Sequence, residues 1–422
     1  MLDIKKKRVL LVDDSVVVRK ALSLAIAQDP DLEVAGTAVN GRVALANFPS
    51  LKPDIVLLDF EMPEMDGLAT VRELRKIDPR VPIIMFSWLT ERGAAVTLEA
   101  LSLGATDYVT KPSNSDMAAT VEAISRELIP KIRALCHLPE AHNRIAPAAT
   151  TALNAPPLTN PHRRPLLFPV QVVAIGVSTG GPDALARLLP VLPANLPVPI
   201  VIAQHMPPIF TSLLAARLAA KSPLPVRECV SGEPLTPGCA VIAPGDSHMV
   251  VSQENGILLL KTHQGPKENF CRPSVDVLFH SVASVFGSRA LAVVLTGMGQ
   301  DGLKGCEALR RSGARIYVQD EASSVVWGMP GFVARSGLAD KILPPIRLAP
   351  RSFARQPCNS RRDPKAKIRL PVAAGSPRRS TLRQAIQVAV VVKRSRLLHE
   401  LENLKHPLSS LPVHLPELDR YA

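Results

Sequence analysis

Aromatic residues are scarce: they make up 4% of the sequence, with two Trp and three Tyr among 422 residues. A core made from this chain must rest on Val, Leu, Ile and Ala, a composition that suits parallel sheets buried on both faces. Cysteine is also sparse. Cys136, Cys229, Cys239, Cys271, Cys306 and Cys358 are scattered and form no CxxC pair. Reduced thiols in a cytosolic protein are therefore expected rather than a disulfide framework. No run reaches the roughly 18–20 uncharged apolar residues that a membrane span requires. The stretch from Met1 to Arg8 is charged and leads straight into a strand, without the apolar region and cleavage site of a signal peptide. Cytoplasmic localisation with no membrane span follows as the expectation.

The length exceeds one ordinary domain, and the hydrophobic fraction of 46% is ample for real cores. The net charge of +13 invites a nucleic-acid reading. Its distribution weakens that reading. Residues 351–422 hold fifteen Lys/Arg and five Asp/Glu, so the tail alone carries +10. Phe353 and Tyr421 are the tail's only aromatics, a poor set for base stacking, and no helix-turn-helix pattern stands out.

From Arg8 to Ala134 strand-like and helix-like runs alternate. Strands are expected at Arg8–Val12, Leu32–Thr37, Asp54–Leu58, Val81–Phe86 and Asp107–Val109. Helices are expected at Ser15–Gln28, Gly67–Ile77, Glu91–Leu103 and Ser115–Ala134. The order implies a doubly wound parallel sheet with helices on both faces. Residues 130–169 are rich in Pro and Ala and read as a semi-extended linker. A second α/β alternation runs from 170 to 346. Its expected strands are Val172–Gly176, Pro199–Ala203, Ala290–Leu295 and Ile316–Gln319, and its expected helices are Pro182–Leu192, Ile209–Lys221, Ser274–Phe286 and Asp301–Arg311. Residues 347–422 read as a basic, largely disordered extension, with weak helical periodicity over Leu382–Leu404.

In such sheets the ligand crevice lies at the carboxyl ends of the strands. In the first half those ends carry Asp13 and Asp14, Asp59, Ser87 and Lys111. Three clustered carboxylates repel one another and call for a cation. All-oxygen donors suit Mg²⁺, with Asp14 and Asp59 as ligands and Asp13 as a ligand or outer partner. Asp59 can then attack a phosphoryl donor, while Lys111 neutralises the equatorial oxygens. The acidic pair, the LLDFEMPEMDGL run, Ser87 and Lys111-Pro112 resemble the receiver domain of response regulators over residues 7–129. The resemblance implies a flavodoxin-like five-stranded fold, phosphorylation at Asp59, a sensor kinase as phosphoryl donor, and Tyr108 in the place of the switch aromatic. Trp88, directly after Ser87, is a bulky neighbour with the potential to alter that switch.

The second half holds Ser178 in GVSTGGP, between a strand and a helix opened by Pro182. The glycines permit a tight turn, and the helix end favours developing negative charge. A phosphate-holding turn is the competing reading of this loop. His205 ends a strand on the same sheet edge and is a candidate base, with Asp301 in LTGMGQDG as its acid partner. The order Ser, His, Asp argues against an α/β-hydrolase, where the acid precedes the histidine. GVSTGGP, AQHMP, PGCAVIAPGDSHM, RPSVD, LTGMGQDG and QDEASSVVWGMP together resemble the chemotaxis-specific protein-glutamate methylesterase catalytic domain over residues 171–343. The resemblance implies Ser178, His205 and Asp301 as catalytic triad, Met298 with Thr179 at the oxyanion hole, and His248 and Arg272 in the substrate groove. Asp246, Asp276 and Glu321 are expected to be structural or solvated. No cofactor is expected in the hydrolase site. The implied activity is hydrolysis of glutamate methyl esters, and of glutamine amides, on methyl-accepting chemotaxis receptors, controlled by the receiver. A receiver with a nucleic-acid output, or with an inactive hydrolase as scaffold, are the competing classes.

Overall fold

The structure is a computed structural model, and it describes residues 6–112, 116–138 and 169–348. Most of the expected linker and the whole basic extension, including Leu382–Leu404, lie outside the described residues.

The first sheet is built from β1 (Lys7–Val12), α1 (Val16–Ala27), β2 (Leu32–Ala38), α2 (Gly41–Leu51), β3 (Ile55–Asp59), α3 (Gly67–Ile77), β4 (Ile83–Ser87), α4 (Glu91–Ser102), β5 (Asp107–Thr110) and α5 (Met117–Leu135). Its strand order is β2-β1-β3-β4-β5 and every pairing is parallel. β1 lies between β2 and β3, so the chain reverses direction across the sheet there, and Asp13 and Asp59 stand at that switch point. Nearly every strand residue of β1, β3 and β4 is buried, as expected for a parallel sheet covered on both faces.

One helix of this half went unread in the sequence. α2 starts at Gly41 and carries Pro49 inside it, two residues that disfavour helix. Asn40 overrides them at the start, because its side chain accepts the Val43 N–H as an N-cap. Pro49 sits in the last turn, and the helix closes on Lys52 in the left-handed conformation.

α5 is tied to α1's end by a buried charge cluster. Arg133 is 6% exposed and bonds Asp29 at 2.6 Å and Asp31 at 3.1 Å. Removing the guanidinium takes a close cation away from two buried carboxylates. Arg133→Met is expected to destabilise the receiver by about 3–5 kcal/mol, measured as a lowered denaturant midpoint; a change under 1 kcal/mol would contradict this account.

The second half continues with β6 (Val172–Val177), α6 (Gly181–Leu188), β7 (Ile200–Gln204), α7 (Phe210–Ala219), β8 (Val226–Glu228), β9 (Glu233–Pro234), β10 (Ala240–Ile242), β11 (His248–Glu254), β12 (Ile257–His263), α8 (Val275–Phe286), β13 (Ala290–Val294), α9 (Leu303–Arg311), β14 (Arg315–Gln319), α10 (Met329–Arg335), β15 (Lys341–Leu343) and α11 (Pro345–Leu348). Seven strands form a parallel sheet in the order β15-β14-β13-β6-β7-β10-β8. The expected helix Pro182–Leu192 is shorter, turning into a 3₁₀ segment at Leu189–Val191. A separate antiparallel sheet β11-β12-β9 was not read as such from the sequence. Its hairpin turns on Asn255 and Gly256, both at positive φ, the pairing that a two-residue turn of this kind demands. α10 and β15 were also unread; both are short.

The two halves share a core. Leu98, Leu101 and Tyr108 of the first belong to one apolar cluster with Leu185, Phe210 and Leu214 of the second. Val326, with Val325 and Met298 at its edge, joins another cluster otherwise made by the first half, which includes Val121 and Ile124 of α5. No helix among the described residues is long and apolar enough to cross a membrane.

Candidate active site and its receiver pocket

β6 lies between β13 and β7, which makes its carboxyl end the switch point of the large sheet. Ser178 follows β6 directly. Its amide donates to Thr296 O at 3.0 Å, and its carbonyl accepts from Gly181 N at 2.8 Å and from Gln204 Nε2 at 3.0 Å. These bonds fix the turn from both neighbouring strands. Gly180 takes φ +75°, and a side chain there would meet Val325 at 2.6 Å, so glycine is required on two counts. Gly297 is needed for closeness: a Cβ on it would lie 2.8 Å from the Ser178 Cβ.

His205 follows β7, next to β6, and its amide bonds Val177 O at 3.1 Å. Its Nε2 lies 2.8 Å from Asp301 Oδ2. Asp301 is 2% exposed and accepts four further hydrogen bonds, from Val275 N (2.6 Å), Asn269 Nδ2 (2.8 Å), Ser274 Oγ (2.9 Å) and Asp276 N (3.2 Å). Two of these donors are the first amides of α8, where the helix dipole favours an anion. Burial alone would raise the Asp301 carboxyl, but His205 and these donors outweigh it and hold it well below the usual carboxylate range.

His205 Nδ1 faces Cys271 Sγ at 3.5 Å. Among the described residues no hydrogen bond joins Ser178 Oγ to His205. Burial works against a charged ring here, yet the Cys271 and Asp301 partners lift His205 to about 10. The His205–Asp301 pair is therefore formed, while Ser178 and His205 are not joined, a looseness common in sites without a bound ligand.

The amides of Thr179 and Met298 have no acceptor within the chain among the described residues, and both residues border the Ser178 turn. The Thr179 side chain is engaged elsewhere: it is 7% exposed, and its hydroxyl donates to Asp107 Oδ2 of β5 at 2.9 Å. Asp107 also meets Lys131 Nζ at 3.2 Å. Tyr108, the next residue, stacks on Phe210 of α7, with ring centroids 4.7 Å apart and planes within 8°. Neither Asp107 nor Phe210 was singled out from the sequence. Each is an ordinary strand or helix residue until the two halves meet.

Two residues expected in the groove are held by the loop before α8. His248 is 1% exposed, and its ring nitrogens meet Pro266 O at 2.9 Å and Ser274 N at 3.2 Å. It braces the loop before α8. Arg272 serves the same loop, binding Asp246 Oδ1 at 2.6 Å and the Gly265 carbonyl at 2.9 Å. Asp246 pairs with Arg272, and Asp276 accepts from Gly305 N and Asn269. Glu321 is exposed.

In the receiver pocket Lys111 Nζ sits 2.9 Å from Asp13 Oδ2 and 2.8 Å from Asp59 Oδ1. Oxygens of Asp13, Asp14 and Asp59 lie within 4.8 Å of one another, a hard donor set that fits a small divalent cation. Ser87 is buried, with its hydroxyl 3.4 Å from Gly93 O. The Trp88 ring lies 5.8 Å from Lys111 Nζ and is half exposed, so this neighbour covers the lysine rather than filling the pocket.

Burial raises Asp59 to about 6; Lys111 opposes the shift and Asp13 adds to it. A carboxyl whose folded value exceeds its unfolded 3.8 weakens the fold as it ionises. The penalty grows as pH rises from about 4 to 6 and is constant above. Without divalent cation, Asp59→Asn is expected to stabilise the receiver by about 1–3 kcal/mol at pH 8 and by nearly nothing at pH 4. Unfolding curves at the two pH values check this, and equal effects at both would refute it.

Comparisons with known proteins agree on one family. The profile described as CheB methylesterase matches residues 173–351, and that of the response regulator receiver domain matches residues 9–122. A protein-glutamate methylesterase/protein-glutamine glutaminase of Trichodesmium erythraeum is 48% identical over 349 residues, covering 82% of this chain and 97% of the relative. One from a Nocardioides species is 49% identical over 360 residues, covering 83% and 96%. The crystal structure of the Thermotoga maritima CheB methylesterase catalytic domain is 41% identical, with a TM-score of 0.43, covering 44% of this chain and 99% of that one. With a receiver at its head, a serine–histidine–aspartate set at the switch point of the second sheet, and relatives matched along nearly their whole length, the chain belongs to the family of protein-glutamate methylesterases/protein-glutamine glutaminases.

Proposed function

We propose that this chain is a phosphorylation-activated serine hydrolase that removes methyl groups from glutamate esters, and ammonia from glutamines, on methyl-accepting chemotaxis receptors. One observation carries the reading: the Ser178 turn is bordered on one side by the His205–Asp301 pair and on the other by Asp107 of the receiver's last strand.

In the reaction His205 leaves Cys271 and accepts the Ser178 proton as Ser178 attacks the ester carbonyl. The free amides of Thr179 and Met298 hold the oxyanion, each contributing about 3–4 kcal/mol to the transition state. Asp301 keeps the ring's orientation and stabilises its charge. The protonated ring then passes its proton to the departing methoxide. Water, activated by the same ring, hydrolyses the acyl-enzyme. Amide hydrolysis follows the same path with ammonia as leaving group.

Control comes through β5, which ends beside Lys111 and begins at Asp107. A chemotaxis sensor kinase is the phosphoryl donor, and Asp59 is the acceptor. Magnesium held by Asp14 and Asp59, with Asp13 as ligand or outer partner, supplies charge neutralisation when bound. Lys111 binds the new phosphoryl group in place of Asp13, and Ser87 turns from Gly93 toward it. Tyr108 then leaves Phe210 and Asp107 releases Thr179, which opens the Ser178 turn to a receptor helix. The cytoplasmic face of such receptors is where the chain works.

The direct test is methanol release from methylated receptor membranes, with ammonia release from glutamine-bearing receptors beside it. Both products are expected, in proportion to enzyme added and only with receptor present. Ammonia without methanol would reassign the enzyme as an amidase, and neither product would remove the hydrolase reading.

A further inference from the structure

We infer that His205 and Cys271 form a capture site for a thiophilic divalent cation of the zinc class, and that its occupation turns the hydrolase off. The family reaction assigns no part to Cys271, although its Sγ lies 3.5 Å from His205 Nδ1. That spacing is informative. Zinc bonds of about 2.3 Å to sulfur and about 2.0–2.1 Å to nitrogen, at a tetrahedral angle, separate the two donors by about 3.5 Å. The pair is already at chelating distance.

The surroundings match those of a built metal site. A metal-bound histidine normally donates its far ring N–H to a carboxylate, and His205 Nε2 is 2.8 Å from Asp301 Oδ2. Donor atoms of all three residues fall within 4.8 Å of one another. The loop carrying Cys271 is fixed: Glu268 and Cys271 exchange backbone hydrogen bonds, Asn269 bonds Asp276 and Asp301, and Arg272 bonds Asp246. Both His205 and Cys271 keep partial exposure.

Donor chemistry separates this site from the receiver pocket. Asp13, Asp14 and Asp59 offer only hard oxygens, whereas thiolate and imidazole select zinc-like ions over magnesium. On binding, the Cys271 thiol and the Nδ1–H of the charged His205 ring each give a proton to solvent, and the metal–sulfur and metal–nitrogen bonds form. The His205 lone pair that would accept the Ser178 proton is then occupied.

The test uses the full chain in saturating Mg²⁺, titrated with Co²⁺ as the optical stand-in for zinc. A thiolate-to-cobalt charge-transfer band is expected, removed by one equivalent of Zn²⁺ and absent in Cys271→Ser and in His205→Ala. In the methanol assay, zinc is expected to inhibit reversibly, with a chelator restoring turnover. Cys271→Ser is expected to raise the half-inhibitory zinc concentration at least about 10–100-fold relative to its own metal-free rate. The inhibition arm rests on the hydrolase reading; the cobalt arm does not, so failure of the two can be told apart. A missing band in the wild type, a band unchanged in Cys271→Ser, or equal zinc sensitivity in the two proteins would each overturn the site.

Discussion

Ser178→Ala is expected to lower kcat for ester hydrolysis about a million-fold, to the level left by the oxyanion donors and binding alone. His205→Ala should cost a similar factor, and the double variant no more than either single one, because nucleophile and base act as a unit. Asp301→Asn should cost about 10⁴-fold. An amide there presents its own N–H groups to some of the five donors that now converge on the carboxylate, and the imidazole loses its anionic partner. KM should change little in Ser178→Ala, since the hydroxyl is small and its loss leaves the groove intact. A Ser178→Ala enzyme retaining a tenth of wild-type turnover would end the assignment. The pH profile adds a second check. Cys271 and Asp301 raise His205 to about 10 against burial, so a larger share of the ring is protonated near neutral pH than in a free imidazole, and that share cannot accept the Ser178 proton. Turnover of the unphosphorylated chain should therefore climb as pH rises toward 10. The same pair affects stability with the opposite sign. A raised histidine stabilises the fold fully below its unfolded 6.5 and loses that contribution as pH approaches 10.

The second large effect concerns the receiver. Phosphorylation of Asp59, or a stable phosphoryl mimic with Mg²⁺, is expected to raise turnover by about 5–150-fold, the usual range for coupling between sites. Asp59→Asn should show none of this rise. The contacts proposed to break are the Thr179–Asp107 hydrogen bond, the Tyr108–Phe210 stack, and the packing of Leu98 and Leu101 near Leu214. Asp107→Ala and Tyr108→Leu should each raise the activity of the unphosphorylated chain and shrink the activation ratio. Product release measured with and without the mimic gives both numbers. If the interface variants leave the ratio at its wild-type value, β5 is not the route by which the pocket speaks to Ser178.

The chemistry-bearing positions were readable because each sits at a strand's carboxyl end. A run such as VVAIG or DIVLL dictates a buried parallel strand, and the residue after it must then emerge at the sheet edge. That logic alone brings Asp13, Asp59 and Lys111 to one edge, and Ser178 and His205 to another. α2 and the β11–β12 hairpin were also written in the sequence, through the Asn40 cap and the Asn255-Gly256 turn. α2 is obscured by Gly41 and Pro49, both of which disfavour helix.

Three things were decided only in three dimensions. His248 is enclosed, because the loop folds over it and uses both ring nitrogens. Cys271, distant from His205 in sequence, reaches its ring only because the loop before α8 is pinned to Asp301 and Asp246. Asp107 and Phe210 gained their roles from the meeting of two halves that each have complete hydrophobic patterns. Strand patterning is a local property with a short period, so one sequence states it. Which loop covers a histidine, and which strand end touches a neighbouring domain, depends on residues far apart in the chain, and no local period encodes that.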